Sequence, residues 1–209
     1  MNDVPECPIL TWLPVIEPDL GQERFFTEQP IDTIIKGDFT KVPVIIGVTA
    51  DEWMSPVPDV LKNTLLLERF NKEFDKIAPI CFSYEQDSEI STALSEKFRK
   101  LYFPFDVIDS RSFNGLNNFF SDGIIGYGVH NFVHLMSNLT NVYYYKFSFI
   151  GRNGFFKYPG NKPYGVHHGD DGMYLLPYPF LGPMIQPTDP ENFMVERMTR
   201  IFSQFAETG

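Results

Sequence analysis

Apolar and β-branched side chains run almost without interruption through VPVIIGV (42–48). A short continuous run of this kind predicts a strand buried on both faces. NVYYYKFSFI (141–150) carries an aromatic residue at most positions and predicts a second strand. Between them the spacing is helical. In SEISTALSEKFRKLYF (88–103), Ile90, Ala93, Leu94, Phe98, Leu101 and Tyr102 fall at helical intervals, and Ser88 stands where an N-cap belongs. Helices are also predicted from Val60 to about Ile77 and from about Asn118 to Asn138, the second weakened by Gly123, Gly126 and Gly128. A final helix starts at Asp189-Pro190-Glu191 and aligns Met194, Met198, Ile201 and Phe205 on one face. The first forty residues and 151–190 are rich in Pro and Gly and read as long ordered loops.

The sum is a mixed α/β chain with an internal conflict. Two strands among about five helices make a poor sheet, yet VPVIIGV calls for a partner on each side. Loops of about forty residues are uncommon in a compact domain unless they serve a function. Either the chain is part of a larger fold or further strands escape the pattern.

Composition narrows the class. The 209 residues are 43% hydrophobic and 16% aromatic, enough for a core and too apolar for disorder. The net charge of −10 is spread along the chain, which suits a solvated surface and argues against a nucleic-acid partner. No apolar run approaches the ~20 residues of a membrane span. MNDVPECPIL has no basic start and no long apolar stretch, so no signal peptide is visible and the compartment stays open. Cys7 and Cys81 are too few for a disulfide framework or a zinc ligand set.

Several short patterns carry little chemistry. HNFVH (130–134) puts His130 and His134 on one helix face, but Asn131 stands where a zinc protease needs Glu and no third ligand is near. GYG (126–128) lacks the third glycine of a dinucleotide site. Asn138-Leu139-Thr140 is a glycosylation sequon, of consequence only in a secreted chain. The aromatic residues of 143–149 read as core. Two other segments say more. GVTADEW (47–53) leaves the end of the first strand and presents Asp51 and Glu52 in the following loop, where open α/β sheets build sites. GVHHGDD (165–171) follows the second strand, with His167 and His168 beside Asp170 and Asp171. A histidine acting as a base needs a carboxylate to fix its tautomer, and Glu52 and His168 are candidates for such a pair.

WLPVIEP, KVPVIIGVTADEW, FFSDGIIGYGVHNFVH, NVYYYKFSF and YGVHHGDDGMYLL, in that order, resemble the C-terminal half of a type-B carboxylesterase. This is the esterase/lipase family that includes cholinesterases and juvenile hormone esterases, and the likeness is greatest to its insect members. The resemblance implies a partial α/β-hydrolase fold: the C-terminal half of the sheet with its flanking helices, over residues 1–209. It also implies a small-molecule ester substrate, with no metal and no cofactor. The family's G-V-x-x-x-E motif places the triad acid on Glu52, and its G-V-x-H-G/A motif places the triad base on His168 rather than His167. Asp122 matches a position common in the family; Asp122, Asp170 and Asp171 are expected to steady the site or to cap loops and helices. PYPFLGP (177–183) and WLPVIEP are expected to shape the substrate pocket.

The departure from the family is as informative. No G-x-S-x-G elbow occurs in the chain, no serine precedes Ser55, and the Gly-rich oxyanion segment is missing. The expectation is a piece of a serine esterase that supplies acid and base but neither nucleophile nor oxyanion hole, and that lacks the family's final segment. Such a piece, isolated, is expected to self-associate through its bare sheet edge and exposed apolar face. The alternatives are a non-catalytic, cholinesterase-like adhesion or binding module, which has no chemical need for Glu52 and His168, and an unrelated metal-binding protein using the histidines and acids.

Overall fold

The structure, a computed structural model, describes residues 14–152, 154–156, 165–178 and 184–209. Cys7, most of PYPFLGP and the first two residues of WLPVIEP lie outside them.

Both predicted strands form. β1 (Val44–Thr49) and β2 (Val142–Phe147) pair in parallel and in even register, from Val44 opposite Val142 to Thr49 opposite Phe147. Among the described residues β1 has no second neighbour, and only Val48 and Thr49 at its end are buried. The expectation of a strand enclosed on both sides is therefore unmet within these residues. The aromatic residues of β2 are not uniformly core either: Phe147 is buried, whereas Tyr143 and Tyr144 are about half exposed.

The helical segment between the strands packs on itself. The predicted helix over 60–77 is three: α2 (Val57–Lys62), α3 (Thr64–Lys72) and α4 (Phe74–Phe82). Asn63 ends the first and caps the second, its side-chain oxygen accepting from the Leu65 and Leu66 amides. α5 (Glu89–Tyr102) begins where expected, with Ser88 and Ser91 exchanging side-chain and backbone bonds in a capping box. Its buried face is the expected one in part: Phe98 and Tyr102 pack against the helical core, but other predicted positions do not. Ile90 and Leu101 are 81% and 70% exposed, while Ser91 and Ser95 are buried and the Ser95 hydroxyl bonds Tyr84 at 2.6 Å. Small residues face α4, the Ser95 hydroxyl also reaching the Asp75 carbonyl, so apolar spacing set the face too far toward Ile90 and Leu101.

The predicted helix over 118–138 is interrupted. α6 (Phe113–Ser121) passes through a π-turn (Asp122–Gly126) into α7 (Tyr127–Met136). A Cβ on Gly123 would lie 2.8 Å from the Phe82 ring, so glycine lets α4 pack against this turn. Phe119 is fully buried at the centre of the helical core and meets the rings of Phe74, Phe82, Tyr102, Phe103 and Phe120.

A second core joins β2, the segment after Gly165, and α8 (Asn192–Thr208). Met194 and Met198 face it as predicted, with Phe147, Val166 and Tyr174; Ile201 is 44% exposed. A short helix, α1 (Pro30–Lys36), forms inside the segment read as loop, with Ile31, Ile34 and Ile35 at helical spacing, Pro at its first turn and Gly37 in the left-handed conformation at φ 69° closing it. No helix among the described residues is long and apolar enough to cross a membrane.

Candidate active site

The site forms where the two strands end. After Thr49 the chain turns through Ala50–Trp53, and its backbone bonds pass from the end of β2 to the segment after Gly165. The Ala50 amide donates to the Phe147 carbonyl at 2.8 Å, and the Asp51 amide to the Val166 carbonyl at 2.9 Å. The His168 amide then reaches the Glu52 carbonyl at 3.3 Å. These bonds bring two segments that are distant in sequence side by side.

Glu52 is buried, 5% exposed. Its Oε1 accepts from the Thr49 amide at 2.6 Å, and its Oε2 meets His168 Nδ1 at 2.7 Å across 116 positions of sequence. The His168 side chain is 58% exposed, and its ring lies 6.2 Å from that of Trp53. With Nδ1–H donated to Glu52, the neutral ring carries its lone pair on Nε2. The bond to Glu52 holds the imidazole pKa above its ordinary value, against the opposing effect of burial; the charges of Glu52 and Asp171 add to the rise. His167 is its converse. It is 1% exposed, and burial pushes its pKa down while Asp51 pulls it partly back. Adjacent in sequence, the two histidines occupy opposite environments.

The loop around them is held by its own acids. Gly169 takes φ +83°, a conformation favouring glycine, and turns the chain directly after His168. The Asp170 carboxylate accepts from the His167 and Phe155 amides, each at 2.7 Å, and burial raises its pKa. Asp171 accepts from the Tyr145 hydroxyl at 2.6 Å and caps the 3-10 turn Gly172–Tyr174 through the Gly172 amide. Tyr145 thereby ties β2 to the loop.

Asp122 stands apart from the pair. It accepts from the Tyr102 hydroxyl at 2.8 Å, and it lines, with Glu52, an open pocket of about 370 Å³. His130 lines that pocket too, while His134 is exposed on α7. Among the described residues no group of three or more His, Cys, Asp or Glu is placed to hold a metal ion. Asn138 is exposed at the end of α7, its amide donating to the His134 carbonyl. Cys81 is buried in the helical core.

Asn117 and Ser121 were not singled out in the sequence, whereas Asp51 lay in the loop after β1 that the sequence did mark. Asp51 sits between Asn117 of α6, whose amide donates to it at 2.7 Å, and the Val166 amide at 2.9 Å. The Ser121 hydroxyl accepts from the Trp53 amide at 2.9 Å. Polar residues on an otherwise apolar helix face were the one available hint.

Comparison with known proteins agrees with this architecture. Residues 2–209 match the model of the carboxylesterase family. A carboxylic ester hydrolase of Bombus ignitus is 28% identical over 170 residues, covering 78% of this chain and 30% of the relative. A juvenile hormone esterase of Tribolium castaneum is 24% identical over 204 residues, covering 91% of this chain and 34% of the relative. The chain thus spans about a third of the length of these curated relatives. The crystal structure of juvenile hormone esterase from Manduca sexta, with OTFP covalently attached, superposes with a TM-score of 0.72 at 20% identity, over 94% of this chain and 38% of that one. The fold is accordingly part of an α/β-hydrolase fold, and the chain belongs to the carboxylesterase family.

Proposed function

We propose that Glu52 and His168 are the acid and base of a Ser–His–Glu triad for carboxylic-ester hydrolysis. The serine and the oxyanion donors come from polypeptide outside these 209 residues. The observation that carries this reading is the 2.7 Å bond between His168 Nδ1 and the buried Glu52 carboxylate. A buried carboxylate on Nδ1 fixes the tautomer that leaves Nε2 able to accept a proton. In the reaction, His168 Nε2 takes the serine proton as the serine oxygen bonds to the acyl carbon. It returns that proton to the alcohol oxygen as the ester C–O bond breaks. Water then repeats the cycle on the acyl-enzyme. Glu52 remains ionised and stabilises the imidazolium formed in each half. The ester chemistry in the names of the relatives supports the substrate class.

The test is fluorophosphonate labelling of extract from the source organism, followed by capture with an antibody against residues 141–175. The probe reacts with an activated serine. The expected result is a labelled band well above the 24.1 kDa of this chain. Only an unlabelled band at 24.1 kDa would overturn the proposal and favour a non-catalytic binding module.

A further inference from the structure

The two adjacent acids of the turn after β1 are arranged differently. Glu52 holds the imidazole ring of His168, whereas the hydrogen bonds of Asp51 go to the Val166 backbone and to Asn117. Asp51 is bound to Val166 twice: its amide donates to the Val166 carbonyl, and its Oδ2 accepts from the Val166 amide, each at 2.9 Å. Its other oxygen accepts from the Asn117 amide, and Asn117 is itself 5% exposed on α6. Asn117 in turn accepts from the Ser121 hydroxyl at 3.4 Å, and that hydroxyl holds the Trp53 amide. The acid turn, α6 and the histidine loop therefore meet at one carboxylate.

A second observation is independent of these bonds. A Cβ on Gly165 would fall 2.3 Å from Asp51 Oδ2 and 2.7 Å from its Cγ. Glycine at 165 leaves the space that the Asp51 carboxylate occupies.

We propose that Asp51 is a positioning residue: its carboxylate anchors the backbone that carries His168, so that the ring meets Glu52, and Gly165 is glycine in order to admit it. The proposal rests on the reading of Glu52 and His168 as a working pair. It explains why the segment reads Gly-Val before the two histidines: Gly165 gives access, and Val166 supplies the bonded amide and a side chain buried in the second core.

The test is the pH dependence of His168 acylation by diethylpyrocarbonate in the 209-residue chain, localised by mass spectrometry. The reagent attacks neutral imidazole, so the rate reports the His168 titration at any oligomeric state. Buried His167 is shielded from it. Glu52 and Asp171 are the charges that raise the His168 pKa, while Asp51 acts on His167. Glu52→Gln is expected to lower the His168 midpoint. Asp51→Asn is expected to lower it by about half a pH unit or more as the ring leaves Glu52. Gly165→Ala displaces the Asp51 carboxylate without changing any charge and is expected to do the same. In a Glu52→Gln background neither substitution should move the midpoint further.

If Glu52→Gln lowers the midpoint but Asp51→Asn and Gly165→Ala leave it at the wild-type value, this proposal fails and the working pair stands. If Glu52→Gln itself has no effect, the pair fails first. Loss of near-ultraviolet circular dichroism in both Asp51→Asn and Gly165→Ala would also overturn the positioning role, since the contact would then support the whole fold.

Discussion

A Cβ added to Gly47 would fall 2.2 Å from Tyr145 Cζ and 2.4 Å from both Cε atoms, far inside van der Waals contact. The ring cannot simply withdraw. Its hydroxyl donates to Asp171 at 2.6 Å, and it packs edge-on against Phe202 with centroids 6.0 Å apart. Overpacking of this kind costs about 1–3 kcal/mol. Displacing the ring also sacrifices a hydrogen bond to a carboxylate, worth about 1.5–3 kcal/mol. Alanine recovers about 0.5–1 kcal/mol relative to glycine within a strand. Gly47→Ala is therefore expected to destabilise the chain by roughly 2–5 kcal/mol. Tyr145→Ala removes the obstruction, so adding Gly47→Ala to it should cost less than about 0.5 kcal/mol. A urea series followed by far-ultraviolet circular dichroism measures all four members of the cycle. Additive costs for the two substitutions would refute the contact as the reason for glycine at 47.

Four further predictions concern the chain as a whole. Under the proposed triad, residues 1–209 alone should hydrolyse p-nitrophenyl esters no faster than their His168→Gln variant, because a triad without its nucleophile loses about 10⁶ in rate and one without oxyanion donors another ~10²–10³; fluorophosphonate-sensitive turnover would contradict this. The same polypeptide should self-associate in analytical ultracentrifugation, since Tyr143, Tyr144 and Ile201 are each more than 40% exposed beside a two-stranded sheet; a monomer with one sharp melt would count against it. Stability should depend on pH in opposite senses through the two histidines. The His168 contribution is complete below the ordinary imidazole pKa of 6.5 and lost as pH rises through its raised folded value, whereas buried His167 destabilises as pH falls from 6.5 through its depressed one. His168→Gln should therefore flatten the alkaline limb of the urea midpoint against pH and leave the acid limb, and an unchanged alkaline limb would refute the assignment. Finally, Phe119→Ala should cost about 3–5 kcal/mol, against less than about 0.5 kcal/mol for Phe25→Ala at 85% exposure; equal urea midpoints for the two variants would contradict the packing described.

The elements most legible in the sequence were those whose signal is local. β1 and β2 form within two or three residues of their apolar and aromatic runs, and α5 starts at Ser88 because a serine hydroxyl satisfies an amide that no carbonyl can reach. Residue type and position offered Glu52 and His168 only as a candidate pair; it was the resemblance to the family's G-V-x-x-x-E and G-V-x-H-G/A motifs that singled them out.

What the pattern misjudged depends on who packs against whom. Apolar spacing on α5 extended the face to Ile90 and Leu101, but Ser91 and Ser95 are buried instead, with the Ser95 hydroxyl against α4. The π-turn between α6 and α7 and the seating of the Phe82 ring against Gly123 are contained in no one-dimensional reading. The difference between His167 and His168 is of the same kind: two identical side chains, adjacent in sequence, acquire opposite pKa shifts because one is enclosed and the other is held on a carboxylate 116 positions away. Residue type and local spacing settle which groups can carry chemistry and where strands begin. Burial, carboxylate partners and the room that a missing Cβ leaves are properties of segments brought together from distant parts of the chain, and only the tertiary structure decides them.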